Sequence, residues 1–438
     1  MRSNRESAWH PGAILTKARP PNSWHLLGTR DFGLIWFSQL VFQVGDGISN
    51  LALLWFVYSI TGSPVQTTII GLLQTIPPIV LGPVIGVYVD RLPKKFFLIG
   101  SNVFRAVLIG IIPCAVSTDT FTVSLLYVLV FLNASAMATF SPALTASMPL
   151  IVPRAQFTAA NALIQSTTGL GIILGPALSG VGIALFGSQE VLCLNGVTYF
   201  VAAVCLGLVR RLDTPQSSGG PQQAGSSAFQ DLIEGITFVA IKQRVILLLV
   251  LTAACYGFGA SALTTLFPVF ASKLLGLGAV EVGYLWSALG VGLLFMSMTL
   301  LRFTEWRVSD RTKIIVVASV ASGMAIGVLV WTNNLWLVGV LMIVIGGGMG
   351  AFNPIAWGIV QELTPRMMVG RVLGLYSTGA MTAAIMGISI FGWVTERFGV
   401  MTGIAGIGAT FLLTASLGGW LSVMLKARAE ASSRLGRP

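Results

Sequence analysis

The stretch GVYVDRLPKK, which runs from Gly86 to Lys95, decides the fold. It places Asp90, Arg91 and two lysines in a tight turn between two apolar stretches, residues 66–89 and 96–116. Each apolar stretch has the roughly 20 residues that a helix needs to cross the hydrocarbon core of a bilayer. The pattern therefore predicts two antiparallel transmembrane helices joined by a charged turn.

The same alternation of apolar spans and polar turns continues along the chain. Hydrophobic residues make up 55% of the 438 and charged residues 9%, and the mean hydropathy is +0.84, whereas soluble domains have roughly 25% charged residues. Only helices and closed barrels satisfy their own backbone in lipid, and these runs are continuous rather than alternating. We predict an all-α integral membrane protein with twelve transmembrane helices. They are expected near residues 34–60, 66–89, 96–116, 122–150, 160–186, 190–209, 246–271, 282–301, 313–331, 335–361, 372–394 and 400–425.

The net charge of +11 is explained by where the basic residues lie. If residue 1 is cytoplasmic, nearly all of the 26 Lys and Arg fall on the cytoplasmic side. The exceptions are Lys273, Arg397 and the intramembrane Arg105. This is the positive-inside bias of membrane proteins. Both termini are therefore predicted to be cytoplasmic, and the positive charge is expected to face anionic lipid rather than nucleic acid.

The longest polar interruption, residues 210–245, divides the spans six and six. Its first part is rich in Gly, Ser, Gln and Pro, as in a flexible linker, and residues 229–244 have the spacing of an amphipathic helix. We therefore expect five parts. They are a cytoplasmic N-terminal tail (1–33), an N-terminal six-helix bundle (34–209), a cytoplasmic linker with an amphipathic helix (210–245), a C-terminal six-helix bundle (246–425) and a cytoplasmic C-terminal tail (426–438).

A weak internal repeat indicates that the two halves are related. When the second half is moved back by 212 residues, Phe352 aligns with Phe140 and Pro354 with Pro142. Two parallel six-helix repeats with a binding site between them, near the middle of the membrane, would explain this match.

Asp46 is the carboxylate deepest inside a predicted span, where an unpaired charge is costly. Gln39, Gln43, Asp46 and Asn50 are spaced by four, three and four residues, and Trp36 continues the series. All are expected on one helix stripe that faces water. Three roles stay open for Asp46: a protonatable switch, a permanently charged site for cationic substrates, or a structural carboxylate that bonds to neighbouring helices.

The charged turn resembles the signature between helices two and three of the major facilitator superfamily. Four of its residues match the signature and two are replacements: Gly86, Asp90, Arg91 and Lys95 match, Lys94 replaces the usual Arg, and Pro93 replaces the usual Gly. The resemblance implies a cytoplasmic gate in which Asp90 caps a helix of the other half in the outward-facing state. A carboxylate at a helix N-terminus contributes roughly 0.3–1 kcal/mol, and a contact made in one state biases the switch.

Arg105 is expected either to pair with Asp90 or to extend toward the cytoplasmic surface. The fourth span contains Asn133 but lacks the Arg that many proton-driven exporters of this superfamily have there. Proton coupling is therefore expected to depend on Asp46 and Arg105.

The fifth span contains GIILGPALSG, which resembles the antiporter motif of drug exporters in the superfamily. The matching residues are Gly171, Gly175, Pro176 and Gly180, and Ser179 replaces a Gly. Small residues four apart allow close helix packing, and a proline inside a span bends the helix. The resemblance implies export, with this helix preventing leak.

Residues 30–36, 39–47 and 140–143 are similar to the twelve-span drug-efflux branch, which includes macrolide and siderophore exporters. The resemblance implies a proton-coupled secondary exporter of lipophilic or amphiphilic small molecules, such as drugs or antibiotics, in the bacterial plasma membrane. Additional cavity-lining candidates are Asn161, Gln165, Tyr256 and Trp357.

Other classes of protein find little support in the sequence. No Walker loop is present, and His10 and His25 both lie in the N-terminal tail, so neither direct ATP drive nor an enzyme is expected. The four cysteines fall in apolar spans without ligand spacing, and no metal or cofactor is expected. The expected partners are a small amphiphile, protons and the lipid bilayer, with a monomer as the functional unit.

Two alternatives stay open. One is a dedicated exporter of a siderophore, natural product or lipid. The other, more remote, is a membrane sensor that does not transport.

Overall fold

The computed structural model describes residues 23–91, 93–118, 122–153, 156–210, 212, 244–300, 308–332, 334–364 and 369–434. Across these ranges the chain forms a short 3₁₀ helix, η1 (Ser23–Gly28), and twelve long α-helices, with no β-strand. The helices are α1 (Arg30–Thr61), α2 (Pro64–Arg91), α3 (Lys94–Ser117), α4 (Val123–Ile151), α5 (Phe157–Phe186), α6 (Ser188–Gly207), α7 (Arg244–Leu275), α8 (Ala279–Leu300), α9 (Val308–Leu329), α10 (Leu335–Leu363), α11 (Val369–Phe398) and α12 (Val400–Arg434).

Each predicted span coincides with one of these helices, and all twelve are long and apolar enough to cross a membrane. The prediction of a twelve-helix, all-α membrane protein is therefore confirmed. Most of the helices extend beyond the predicted limits at one or both ends, because hydropathy marks the apolar centre of a helix and not its polar ends.

The limits of α1 follow from its sequence. Asp31 in the first turn interacts favourably with the positive end of the helix dipole. Gly62 ends the helix at φ 63°, a left-handed conformation that glycine adopts without steric cost, and its N–H bonds the Tyr58 carbonyl at 2.8 Å. The 32 residues span about 48 Å, more than the roughly 30 Å of the hydrocarbon core. The charged start of α1 therefore reaches the headgroup region.

The helices pack into two bundles of six, each with its own apolar core. In each bundle a ring from the first helix contacts rings from the fourth and sixth. The residues are Phe42, Phe140 and Tyr199 in the first bundle, and Tyr256, Phe352 and Phe411 in the second. The stacked ring centroids lie 4.3 Å apart in the first set and 3.9 Å apart in the second. The weak sequence repeat thus corresponds to a shared packing motif.

The two bundles contact each other through α5 with α8 and α2 with α11. Close contacts lie toward the face on which α1 ends and α2 begins, here called the distal face. A Cβ built on Gly180 would lie 2.6 Å from the Ala279 carbonyl oxygen of the other bundle. The Glu396 carboxylate, at the end of α11, accepts hydrogen bonds from Ser63 Oγ (3.2 Å) and Val65 N (3.4 Å) at the start of α2.

Some sequence predictions fall outside what the structure describes. Residues 213–243, which contain most of the proposed linker and its amphipathic helix, lie outside the described ranges. In the charged turn, Gly86, Asp90 and Arg91 belong to the last turns of α2, but their side chains are outside the description. Lys94 begins α3 and is buried, and Lys95 Nζ donates to the Val209 carbonyl at 2.9 Å. The gate role of this turn and the limits of the five parts stay predictions.

Candidate functional site

A cavity of about 520 Å³ lies between the two bundles. Most of its lining comes from α1, α2, α4 and α5 of the first bundle, and the second bundle contributes residues of α7, α8 and α11. Its polar lining is rich in amides and hydroxyls, among them Gln43, Asn50, Gln74, Thr168, Ser261 and Thr264. Of the described residues that line this cavity, two are charged, Asp46 and Arg105.

Asp46 and Arg105 form an ion pair at the wall of the cavity. Arg105 Nη2 lies 2.6 Å from Asp46 Oδ1, and the side chains are 1% exposed for Arg105 and 27% exposed for Asp46. The arginine is therefore embedded in protein, whereas part of the carboxylate faces the cavity. A buried charge needs such a partner, because removal from water costs several kcal/mol per ion.

Further contacts fix the Arg105 guanidinium. Nη2 also donates to the Tyr199 hydroxyl at 2.7 Å, and Nε donates to Asn133 Oδ1 at 3.0 Å. The guanidinium carbon lies 4.2 Å from the Tyr199 ring centroid and 4.9 Å from that of Phe42. Such cation–π contacts strengthen when they are shielded from water. Helices α1, α3, α4 and α6 thus converge on one positive charge.

Tyr199 connects the two ends of the pair. Its hydroxyl accepts from Arg105 and donates to Asp46 Oδ1 at 3.3 Å. Behind it, Asn195 Nδ2 donates to Ser49 Oγ, and Thr198 Oγ1 donates to the Asn195 carbonyl at 2.8 Å. Sequence reasoning did not select Tyr199 or Asn195. The available signal was their spacing of four residues inside an apolar span, which places both on one face of α6.

The partner of Arg105 differs from the predicted one. The sequence suggested pairing with Asp90 or extension to the surface, but the structure pairs Arg105 with Asp46. The reason is depth: α3 begins at Lys94, so Arg105 lies about three turns into the helix and faces the middle of α1.

The predicted polar stripe on α1 faces the cavity over part of its length. Gln43, Asp46 and Asn50 line the cavity, and Gln43 Nε2 also donates to Thr168 Oγ1 at 2.5 Å. Gln39 is buried, so the prediction that it faces water is wrong. The indole N–H of Trp36 bonds the Leu163 carbonyl at 2.9 Å. The stripe turns toward α5 here because the start of α1 packs closely against that helix.

The other predicted cavity residues are dispersed. Asn161 and Gln165 are exposed near the start of α5 and do not border the central cavity. Tyr256 lines a second pocket inside the C-terminal bundle. Trp357 is 41% exposed and contacts the Tyr376 ring edge-on at 6.2 Å.

The glycines of α5 lie at two backbone contacts. A Cβ on Gly171 would lie 2.6 Å from the Gln43 carbonyl oxygen, and one on Gly175 would lie 2.6 Å from Gly47 Cα. Gly180 faces α8 of the other bundle, as described above. Ser179 Oγ donates to the Ile48 carbonyl at 3.1 Å. One face of α5 therefore packs beside Asp46, and another packs against the opposite half.

The arrangement offers proton and hydrogen-bond chemistry. Among the described residues no three His, Cys, Asp or Glu side chains gather as a metal site. With Asp46 ionised the pair is neutral. If Asp46 takes up a proton, the site gains one positive charge, and Tyr199 and Asn133 remain as acceptors for Arg105.

The helical architecture and the central site define a membrane transport protein, and comparison with known proteins specifies the family. Residues 35–388 match the Major Facilitator Superfamily, so this chain belongs to it. Macrolide efflux protein A of Streptococcus pyogenes is 22% identical over 381 residues, with 86% of this chain and 92% of the relative covered. Multidrug efflux pump Tap of Mycolicibacterium fortuitum is 24% identical over 386 residues, with 86% and 91% covered.

Solved structures show the same fold. The nucleoside transporter NupG superposes with a TM-score of 0.67 at 15% identity, covering 91% of this chain and 99% of that chain. An inward-facing bacterial homologue of the iron transporter ferroportin gives a TM-score of 0.70 at 16% identity, with 90% and 98% covered. With its twelve apolar helices and bacterial efflux relatives, the chain is a multi-pass protein of the bacterial plasma membrane.

Proposed function

We propose that this transporter exports lipophilic or amphiphilic small molecules in exchange for protons. The observation that supports this most directly is the Asp46–Arg105 pair, a single carboxylate held by a buried guanidinium at the wall of the central cavity. Two of its relatives are a macrolide efflux protein and a multidrug efflux pump. The lining combines many apolar side chains, such as Leu54, Met137 and Ile172, with scattered amides and hydroxyls, which supports an amphiphile over a sugar or a phosphate.

In this proposal Asp46 is the proton carrier. Intramembrane carboxylates mark proton pathways, and Asp46 is the more exposed partner of the pair. Arg105 neutralises the carboxylate, which disfavours the alternative of a permanent site for cations. Proton uptake breaks the ion pair, while Tyr199 and Asn133 hold the arginine in place. The pair thus has two arrangements that differ in charge, and a difference of this kind can bias a conformational equilibrium.

The transport cycle that we propose is alternating access by rocking of the two bundles. The positive-inside charge bias supports cytoplasmic termini, and in this proposal the distal face is extracytoplasmic. The contacts of Gly180 and Glu396 then hold the extracytoplasmic face together in this structure. The charged turn with Asp90 is proposed to hold the cytoplasmic face together in the opposite state.

The test is efflux of fluorescent lipophilic dyes from proteoliposomes under an imposed pH gradient. We expect gradient-driven efflux by the unmodified protein and its loss in Asp46→Asn, with dye binding retained. The matched control is Glu281→Gln, because Glu281 is a half-buried carboxylate in the first turn of α8 that accepts from the Gly278 N–H and does not line the central cavity. Efflux that persists in Asp46→Asn at the normal rate would contradict the role of Asp46. A folded protein that moves no dye would contradict the proposed substrate class.

A further inference from the structure

A second pocket lies inside the C-terminal bundle and adjoins the central cavity. Its volume is about 330 Å³, and it lies between α7, α8, α10 and α11. Ser261 and Thr264 on α7 line both this pocket and the central cavity. A molecule in the central cavity can therefore extend into the pocket along α7.

The lining of this pocket differs from that of the central cavity. Two tyrosine rings, two thioethers and one amide form its larger walls: Tyr256, Tyr376, Met349, Met381 and Asn353. Alanines and a glycine supply the remaining space, and none of the described lining residues is charged. Aromatic rings and polarisable thioethers favour contact with other aromatic groups. The pocket is therefore suited to a flat, uncharged ring system.

The aromatic walls are held in place before any ligand enters. Tyr256 stacks on Phe352 with a centroid distance of 3.9 Å and an interplanar angle of 4°, and Phe411 contacts it edge-on at 5.7 Å. Tyr376 is 3% exposed and lies edge-on to Trp357. A preformed wall reduces the entropy that binding would otherwise cost.

The two bundles differ in what lies against their equivalent aromatic sets. In the first bundle the corresponding aromatic set is covered by Arg105, whose guanidinium lies over Phe42 and Tyr199. In the second bundle Tyr256 borders the open pocket instead. The first half thus provides the charged pair, and the second half provides an aromatic surface.

We infer that the substrate is a two-part amphiphile whose planar aromatic part, about the size of two fused rings, binds in the pocket that Tyr256 and Tyr376 border. Its hydrogen-bonding part lies in the central cavity beside Gln43 and Asn50. The size follows from volume, since a cavity of about 150 Å³ holds benzene and this pocket is about twice as large. The inference rests on the proposed function and adds the substrate class to it.

Equilibrium dialysis with purified protein in detergent, without a pH gradient, tests the pocket. Two synthetic amphiphiles share one polar amide head; one ends in a naphthyl group and the other in a linear octyl chain. Ala380→Leu narrows the pocket, so we expect at least tenfold weaker binding of the naphthyl probe and a change below twofold for the octyl probe. Tyr376→Leu removes the ring and leaves a smaller apolar side chain, and should weaken naphthyl binding by about two- to tenfold.

The control is Tyr284→Leu, because Tyr284 is 55% exposed on α8 and lies outside the pocket lining. Three results would each overturn the inference. The first is naphthyl binding that is unchanged in both pocket variants, and the second is an equal loss of binding for both probes. The third is no naphthyl binding to a wild-type protein that unfolds cooperatively. The expected binding pattern without gradient-driven efflux would leave the pocket standing and remove the proposed export. Gradient-driven efflux without this binding pattern would leave the proposed export standing and overturn the inference about the pocket.

Discussion

Arg105 joins the polar side chains of the site to one another. Its guanidinium donates hydrogen bonds to three oxygens at once, those of Asp46, Tyr199 and Asn133, and two aromatic rings lie beside it. A lysine would keep the positive charge but lacks the planar fork, and its ammonium is a compact point charge. The requirement at this position is therefore for geometry as well as for charge.

Arg105→Lys is expected to lower the free energy of unfolding by about 2 kcal/mol, because at least one hydrogen bond to a charged group is lost. It should also slow gradient-driven efflux. Thermal unfolding in detergent and the proteoliposome assay measure the two effects. Arg311→Lys is the matched control, because Arg311 pairs with Glu362 at the same distance, 2.6 Å, but nearer the surface. The two side chains are 25% and 48% exposed, and surface ion pairs contribute about 0–1 kcal/mol to the free energy of unfolding. Equal effects of the two substitutions would show that burial of Arg105 has no special consequence.

At the scale of the helix, α5 shows why glycines recur at intervals of four or five residues. Gly171 and Gly175 let its backbone touch α1 beside Asp46, whereas Gly180 lets it touch α8 of the other bundle. The position of the ion pair relative to the opposite half is therefore set by backbone contact, which leaves little room for adjustment.

Gly175→Ala is expected to destabilise the protein by about 1–3 kcal/mol, because the added Cβ would lie 2.6 Å from Gly47 Cα and neither backbone can yield cheaply. Thermal unfolding checks this. Gly110 on α3 has no heavy atom within 4 Å of the built Cβ, so Gly110→Ala should be neutral or slightly stabilising through helix propensity. A stable Gly175→Ala protein with normal efflux would show that α1 and α5 can separate without consequence.

The helices could be predicted from the sequence because hydropathy and turn residues act locally. The partner of Arg105 could not, because any of several helices can face α3, and spacing along one helix does not select among them. Tyr199 illustrates the same limit: a tyrosine in an apolar span can face lipid, core or cavity. Gln39 was misplaced because the stripe on α1 was extended past the point where α5 covers it.

At the scale of the molecule, the two bundles share their aromatic packing but differ in chemistry. The N-terminal aromatic set is covered by Arg105, and the C-terminal set borders a pocket. In the proposed function, proton binding in one half and substrate binding in the other would act on the same interface between the bundles. The contacts that hold this interface together would then determine which of the proposed states is populated.

Glu396 makes one of these contacts. Its carboxylate caps the start of α2 from the end of α11 and so joins the two bundles across the distal face. A carboxylate at a helix N-terminus contributes about 0.3–1 kcal/mol, which corresponds to a shift of roughly two- to fivefold in an equilibrium between two states. Glu396→Ala should therefore increase the population with the distal face open, without loss of the Asp46–Arg105 pair.

Spin labels at Ile60 and Phe398, two exposed positions at the ends of α1 and α11, can measure this population by double electron–electron resonance. We expect a larger long-distance fraction in Glu396→Ala than in the unmodified protein. Glu281→Ala is the matched control, since Glu281 accepts from the Gly278 N–H within its own bundle, at 3.0 Å, and does not bridge the halves. Identical distance distributions in Glu396→Ala and the unmodified protein would show that the carboxylate does not hold the distal face closed. A shift of similar size in Glu281→Ala would mean that loss of a helix cap, and not loss of the bridge, moves the equilibrium.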